Sequence, residues 1–194
     1  MKRTARTFAL LVPFAMIAAL IGGTELAAAQ TTAPCVYQPD AQIKGGPADS
    51  TYSGNDIYYP VGQSLQRQVR PGFGDQFNIK VENDSDCSDM FIVHGAGSSM
   101  KYRIAYWSGP LNVTADVVAG TFTTDPLGAG ESEYLLAFIY VRPTTRSGSF
   151  MTDPISVRSM APVPVGKTAP MDAVSAKVLV NRRAGDFNSQ RPDA

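Results

Sequence analysis

From Gln63 to Val180, apolar and polar residues alternate in short runs, the period of two that sends successive side chains to opposite faces of a strand. Seven segments carry it: Gln63–Val69 (QSLQRQV), Phe77–Val81 (FNIKV), Met90–Val93, Tyr102–Trp107 (YRIAYW), Tyr134–Val141 (YLLAFIYV), Ile155–Met160 and Val174–Val180. Between them stand turn formers: Arg70-Pro71-Gly72, Asn83-Asp84-Ser85, Gly95-Ala96-Gly97, Ser108-Gly109-Pro110, Asp125-Pro126 and Gly128-Ala129-Gly130. A helical turn is predicted only at Val113 to Val118. Many short strands at this spacing predict an all-β fold, a sandwich or a barrel.

In FNIKV the alternation places Phe77, Ile79 and Val81 on one face and Asn78 and Lys80 on the other. Tyr134–Val141 is apolar on both faces, as in a strand covered on both sides or one with an outward aromatic stripe. Tyr134, Ala137 or Phe138, and Tyr140 are the candidates for partly exposed positions.

The N-terminus has a different texture. Lys2, Arg3 and Arg6 precede an apolar run from Phe8 to Ile21, and small residues follow, ending Ala27-Ala28-Ala29. This is the three-part pattern of a secretory signal, with cleavage expected between Ala29 and Gln30. Pro13 and Gly22-Gly23 leave the run short of the roughly 20 residues a spanning helix needs. The expected organisation is a signal peptide at 1–29, one β-sandwich at 30–180 and a polar, disordered tail at 181–194.

Removing the signal takes three basic residues and Glu25 from the 17 basic and 17 acidic residues, leaving the mature chain at about −2. Its charges are scattered, which excludes the clustered Lys/Arg face of a nucleic-acid binder and gives no basis for membrane association. Cys35 and Cys87, the only two cysteines, permit one intramolecular pairing in an oxidising compartment, and neither lies in a CxxC. A structural disulfide closing a loop of about 50 residues is expected, worth on the order of 3 to 4 kcal/mol.

Five segments taken in order resemble a known family: Gln38-Pro39-Asp40-Ala41-Gln42-Ile43, Gly54-Asn55-Asp56-Ile57-Tyr58, FNIKVENDSDCSDMFIVHGAGSSMKYRIAYW, GTFTTDPLGAGESEYLLAFIYV and Asp172-Ala173-Val174. They are similar to bacterial extracellular immunoglobulin-like modules of the CARDB-like kind. The resemblance implies an antiparallel immunoglobulin-like β-sandwich of about seven to nine strands, with an Asn-Asp turn joining a hairpin and Leu127-Gly128-Ala129-Gly130-Glu131 leading into a long core strand. This chain departs from the pattern in carrying one module and two cysteines.

The catalytic inventory is thin. A Ser-His-Asp or Cys-His hydrolase needs a histidine beside its nucleophile, and the single histidine, His94, ends an apparent strand. GxSxG, P-loop, GxGxxG and HExxH patterns are absent from the sequence. Asp56, Asp75, Glu82, Asp116, Glu131 and Glu133 fall in or beside turns and suggest no glycosidase pair. Zinc lacks ligands. Calcium has oxygen candidates in Asp84, Asp86 and Asp89 beside Asn83 in one loop, with Asp49 and Asp56 elsewhere, although Asn and Asp also serve as turn formers and no closing Glu follows at EF-hand spacing.

Aromatics supply the other binding chemistry. Tyr52, Tyr58, Tyr59, Tyr102, Tyr106 and Trp107 either pack in the core and along its edges or stack on sugar rings. The expectation is a non-catalytic exported structural or interaction module without a cofactor, its partner an unidentified protein or glycan. The alternative is a small carbohydrate-binding protein using Tyr58, Tyr59 and Trp107.

Overall fold

The computed structural model describes residues 34–58 and 63–181. The predicted signal segment, Tyr59 and all of the predicted tail except Asn181 lie outside the described residues.

Ten strands and one helix follow in the order β1 (Pro39–Lys44), β2 (Ser64–Val69), β3 (Gly74–Asn83), β4 (Phe91–His94), β5 (Tyr102–Ser108), β6 (Leu111–Asn112), α1 (Thr114–Ala119), β7 (Phe122–Thr123), β8 (Ser132–Val141), β9 (Phe150–Ser159) and β10 (Met171–Val180). They form two five-stranded sheets, ordered β1-β3-β8-β5-β6 and β2-β10-β9-β4-β7. The fold is an all-β, immunoglobulin-like sandwich. Without the two-residue β6 and β7, eight strands remain. The pairing is antiparallel except at one edge, where β2 runs parallel to β10.

Period-two alternation builds the core. Phe77, Ile79 and Val81 of β3, Leu135, Ala137, Ile139 and Val141 of β8, and Tyr102, Ile104 and Tyr106 of β5 point inward from the first sheet. Val174, Ala176, Val178 and Val180 of β10, Ile155 and Val157 of β9, and Phe91 and Val93 of β4 meet them from the second. The antiparallel register sets like positions side by side, with Ile79 opposite Leu135 and Ile104 opposite Ile139. Among the described residues no helix is long and apolar enough to cross a membrane.

Three features depart from the alternation pattern. β1 reads PDAQIK, in which only Ala41 and Ile43 are apolar, yet Asp40 and Gln42 are as buried as they are. β9 begins at Phe150, ahead of Pro154, because pairing with β4 stops at His94–Ser156 and the missing proline N–H meets no ladder there. α1 lies one residue later than the predicted turn, seats Val117 in the core and ends at Gly120, whose φ of 69° is the left-handed conformation glycine adopts without a Cβ penalty.

Candidate functional site

With Leu135, Ala137, Ile139 and Val141 turned inward, β8 presents Tyr134, Leu136, Phe138 and Tyr140 on the outer face of the first sheet. The same alternation turns Arg103, Ala105 and Trp107 of β5 outward. Register then pairs Arg103 with Tyr140, Ala105 with Phe138, and Trp107 with Leu136. Small Ala105 between Arg103 and Trp107 leaves a depression, and the five residues Arg103, Ala105, Trp107, Phe138 and Tyr140 line a groove of about 380 Å³. Phe138 leans over Gly74, where an added Cβ would collide with its ring. The aromatic surface continues toward β1: Tyr134 lies 6.3 Å from Tyr52, centroid to centroid, and Lys44 Nζ sits 4.7 Å above the Tyr52 ring.

Of the sequence-predicted platform, Tyr59 lies outside the described residues, and Tyr58 and Trp107 are not brought together. Trp107 is half-buried in the groove, while Tyr58 stands near the β1 edge, and β3 and β8 separate β1 from β5. Tyr58 Oη faces Asp84 Oδ2 at 2.8 Å and Asp56 Oδ1 at 3.1 Å. Burial first, then these two acids, push its phenol pKa up. Tyr102 and Tyr106 are core residues. Of the partly exposed candidates on β8, Phe138 faces out and Ala137 is fully buried. Phe138, Tyr140 and Arg103 complete the groove around Trp107, a grouping that only the strand register brings together.

Cys35 and Cys87 form a disulfide, with Cα atoms 5.8 Å apart and a sequence separation of 52. The bond fastens the incoming segment to the loop after β3, reinforced by Val36 N–H donating to Asp86 Oδ1 at 2.9 Å and Gln38 N–H to Ser85 Oγ at 2.7 Å. These contacts also scatter the calcium candidates. Asp86 is exposed beside the disulfide, and Asp89 is buried against the Ser159 hydroxyl and the Met90 N–H. Asn83 is engaged with the carbonyls of Cys87 and Leu127, both at 2.8 Å. Asp84 alone of the three joins another acid cluster, with Asp40 and Glu82. The reason is steric: consecutive turn residues point in different directions, and each finds a nearer backbone group to bind.

No protein-family model matches the sequence, and no curated relative does. Among solved structures, the chain is similar to a FixG-related protein from Vibrio parahaemolyticus at 10% identity and a TM-score of 0.40, over 75% of this chain and 98% of that one. It is similar to PapD-like domain 7 of human CEP192 at 6% identity and a TM-score of 0.39, over 74% and 86% of the two chains. The CooA pilin subunit from enterotoxigenic Escherichia coli gives 7% identity and a TM-score of 0.34, over 74% and 99%. These likenesses concern chain course and extend to no binding or catalytic property.

Three buried acids complete the polar interior. Asp153 accepts from Tyr106 Oη at 2.6 Å and from the Ala96 N–H at 2.8 Å, and burial holds its carboxyl above the usual range. Asp172 Oδ2 accepts from the Ala41 N–H at 2.7 Å and so ties the second sheet to the edge strand of the first; burial raises its pKa too. Asp40 is pushed up to about 6, chiefly by burial with help from Asp84 and Asp172, against the Gln42 amide. His94, exposed at the end of β4, lowers the Asp153 pKa slightly through its charge.

Proposed function

We propose that this chain is a non-catalytic, exported interaction module whose working surface is the outer face of the β1-β3-β8-β5-β6 sheet. The observation that carries this reading is the groove between β5 and β8, where Trp107, Phe138 and Tyr140 stand beside Arg103 rather than entering the core. Large aromatic rings held on a rigid sheet offer contact area at little conformational cost, and a partner that covers them gains burial energy the folded chain leaves unused. The N-terminal secretion pattern, the Cys35–Cys87 bond and the resemblance to CARDB-like extracellular modules support an exported setting.

A carbohydrate partner is the second reading, favoured by the same groove: Trp107 and Tyr140 supply faces for sugar C–H groups, and Arg103 supplies guanidinium donors for hydroxyls or acid groups. Because the chain has one tryptophan, its intrinsic fluorescence reports on the groove directly. Titration with a glycan panel and with envelope extracts, each repeated on Phe138→Ala, which keeps the tryptophan, tests both readings. Binding that shifts Trp107 emission and weakens tenfold or more in Phe138→Ala is expected. Turnover of ester, peptide or glycoside substrates by the processed chain would overturn the non-catalytic reading.

A further inference from the structure

Toward the β1 edge of the same outer sheet face, β1 pairs with β3 so that Asp40 stands directly across from Glu82. Two like charges in one cross-strand pair repel, and the first residue beyond β3 adds a third, Asp84. One carboxylate oxygen from each of Asp40, Glu82 and Asp84 lies within 4.8 Å of the other two. Asp40 is 0% exposed, and among the described residues its Oδ1 has no hydrogen-bond partner. A buried carboxylate oxygen without a donor is costly, and here it belongs to a group of acids that share too few protons.

The shortage can be counted. The Gln42 Nε2 amide, with two hydrogens, faces Asp40 Oδ2 at 2.6 Å, Glu82 Oε2 at 2.7 Å and Asn55 Oδ1 at 2.9 Å. Tyr58 Oη, with one hydrogen, faces both Asp84 and Asp56. Lys80 pairs with Glu82, and among the described residues Asp40 and Asp84 have no ion-pair partner. Three carboxylates less one ammonium leave two negative charges.

We infer that Asp40, Glu82 and Asp84 form a calcium site, with the neutral Asn55 side chain as a further oxygen ligand from the β1–β2 connection. Calcium takes oxygen ligands at about 2.3 to 2.6 Å, so oxygens on opposite sides of one ion are about 4.6 to 5.2 Å apart, which matches the spread of this group. Its two charges balance the residual charge. The donor set is all oxygen, which suits a hard cation and disfavours zinc, and the nearby sulfurs are committed to the Cys35–Cys87 bond. The ion would fasten the connection carrying Asn55, Asp56 and Tyr58 to the sheet edge, and it acts independently of the aromatic groove.

Calorimetric titration of the processed chain with calcium chloride, after stripping with a chelator, tests the site. One ion per chain is expected, with affinity reduced tenfold or more in Asp40→Asn and in Glu82→Gln, while Asp86→Asn binds as the wild type because Asp86 serves the Val36 N–H. Thermal melts should follow: calcium at about 100 times its Kd multiplies the folded-to-unfolded ratio roughly 100-fold. In chelator Asp40→Asn should melt at or above the wild type, since it removes a repulsive charge that has no cationic partner among the described residues, whereas a purely structural acid would melt lower. Absence of binding heat and of any melting shift in folded wild type up to about 10 mM calcium, beyond even weak extracellular sites, overturns the inference. So does unchanged affinity in the partly exposed Glu82→Gln, which decides the matter where Asp40→Asn fails to fold.

Discussion

Tyr106 Oη donates to Asp153 Oδ2 at 2.6 Å across the sandwich, joining β5 of one sheet to β9 of the other inside the core. The second carboxylate oxygen is held by the Ala96 N–H, and the tyrosine hydroxyl also lies 3.0 Å from the Ala96 carbonyl. The acid is thus satisfied by hydrogen bonds, has no ion-pair partner among the described residues, and is raised in pKa by burial. A raised carboxyl pKa means that the folded state resists ionisation more than the unfolded chain does. The stabilising contribution is complete below the unfolded value of 3.8 and is lost as pH rises through the folded value. Asp153→Asn keeps an acceptor for Ala96 and gains a donor toward Tyr106. Its denaturant midpoint relative to wild type should therefore climb between pH 4 and pH 7. Tyr106→Phe removes the strongest donor instead and should cost about 1 to 3 kcal/mol at neutral pH. A difference that stays flat with pH would show that Asp153 titrates as it does in the unfolded chain.

Ile139 and Tyr140 are neighbours in sequence on opposite faces of β8, one fully buried and one half-exposed beside Arg103. Ile139→Ala opens a cavity between the sheets and should cost about 2 to 5 kcal/mol. Tyr140→Ser loses packing on a solvated face and should cost under about 1.5 kcal/mol, with partner binding reduced if the groove is the working surface. Urea titrations of the two variants measure the contrast. Comparable losses would mean that the outer face is as much a core as the inner one.

How far these arrangements can be read in advance depends on whether the signal is local. FNIKV announces its inner face because Phe77, Ile79 and Val81 alternate with polar residues within five positions. YLLAFIYV does not, being apolar throughout, and only pairing with Arg103, Ala105 and Trp107 shows which half is exposed. Asp40 and Gln42 read as surface residues in PDAQIK, but they are buried with the Asp56 region and Glu82 gathered around them, contacts between segments more than ten residues apart. For the same reason Asp84, Asp86 and Asp89 look like one cluster on paper and point to three different neighbours in the fold. Cys35 and Cys87 are the exception among distant pairs, because two cysteines leave one possible partner each.

Gly74 is the support on which the groove rests. It pairs with Tyr140 across β3 and β8, and the Phe138 ring occupies the space a side chain would fill. Gly74→Val should restore β propensity to the strand yet lift Phe138 off the sheet, toward Ala105. The expected result is a fold with little stability change and an altered groove, seen as a shift in Trp107 emission in the unliganded protein. An emission spectrum identical to wild type would mean that Phe138 finds another rotamer without disturbing its neighbours.

The disulfide should set stability without setting topology. Beyond the bond itself, the segment it anchors is already held by Asp84 N–H donating to the Gln38 carbonyl at 3.0 Å, and the β1–β3 register begins at once with Pro39 opposite Asn83. Converting Cys35 and Cys87 together to serine therefore leaves the strand pairing intact, and circular dichroism should give the same β signature. What changes is the unfolded chain, which regains the freedom of a loop spanning 52 residues, so the variant should lose about 3 to 4 kcal/mol. The denaturant slope should rise slightly as well, because an uncrosslinked chain exposes more surface when it unfolds. Denaturation of wild type with and without reductant, beside the double variant, checks each step. Coincident midpoints for all three would show that the bond constrains an end of the chain that the unfolded state never frees.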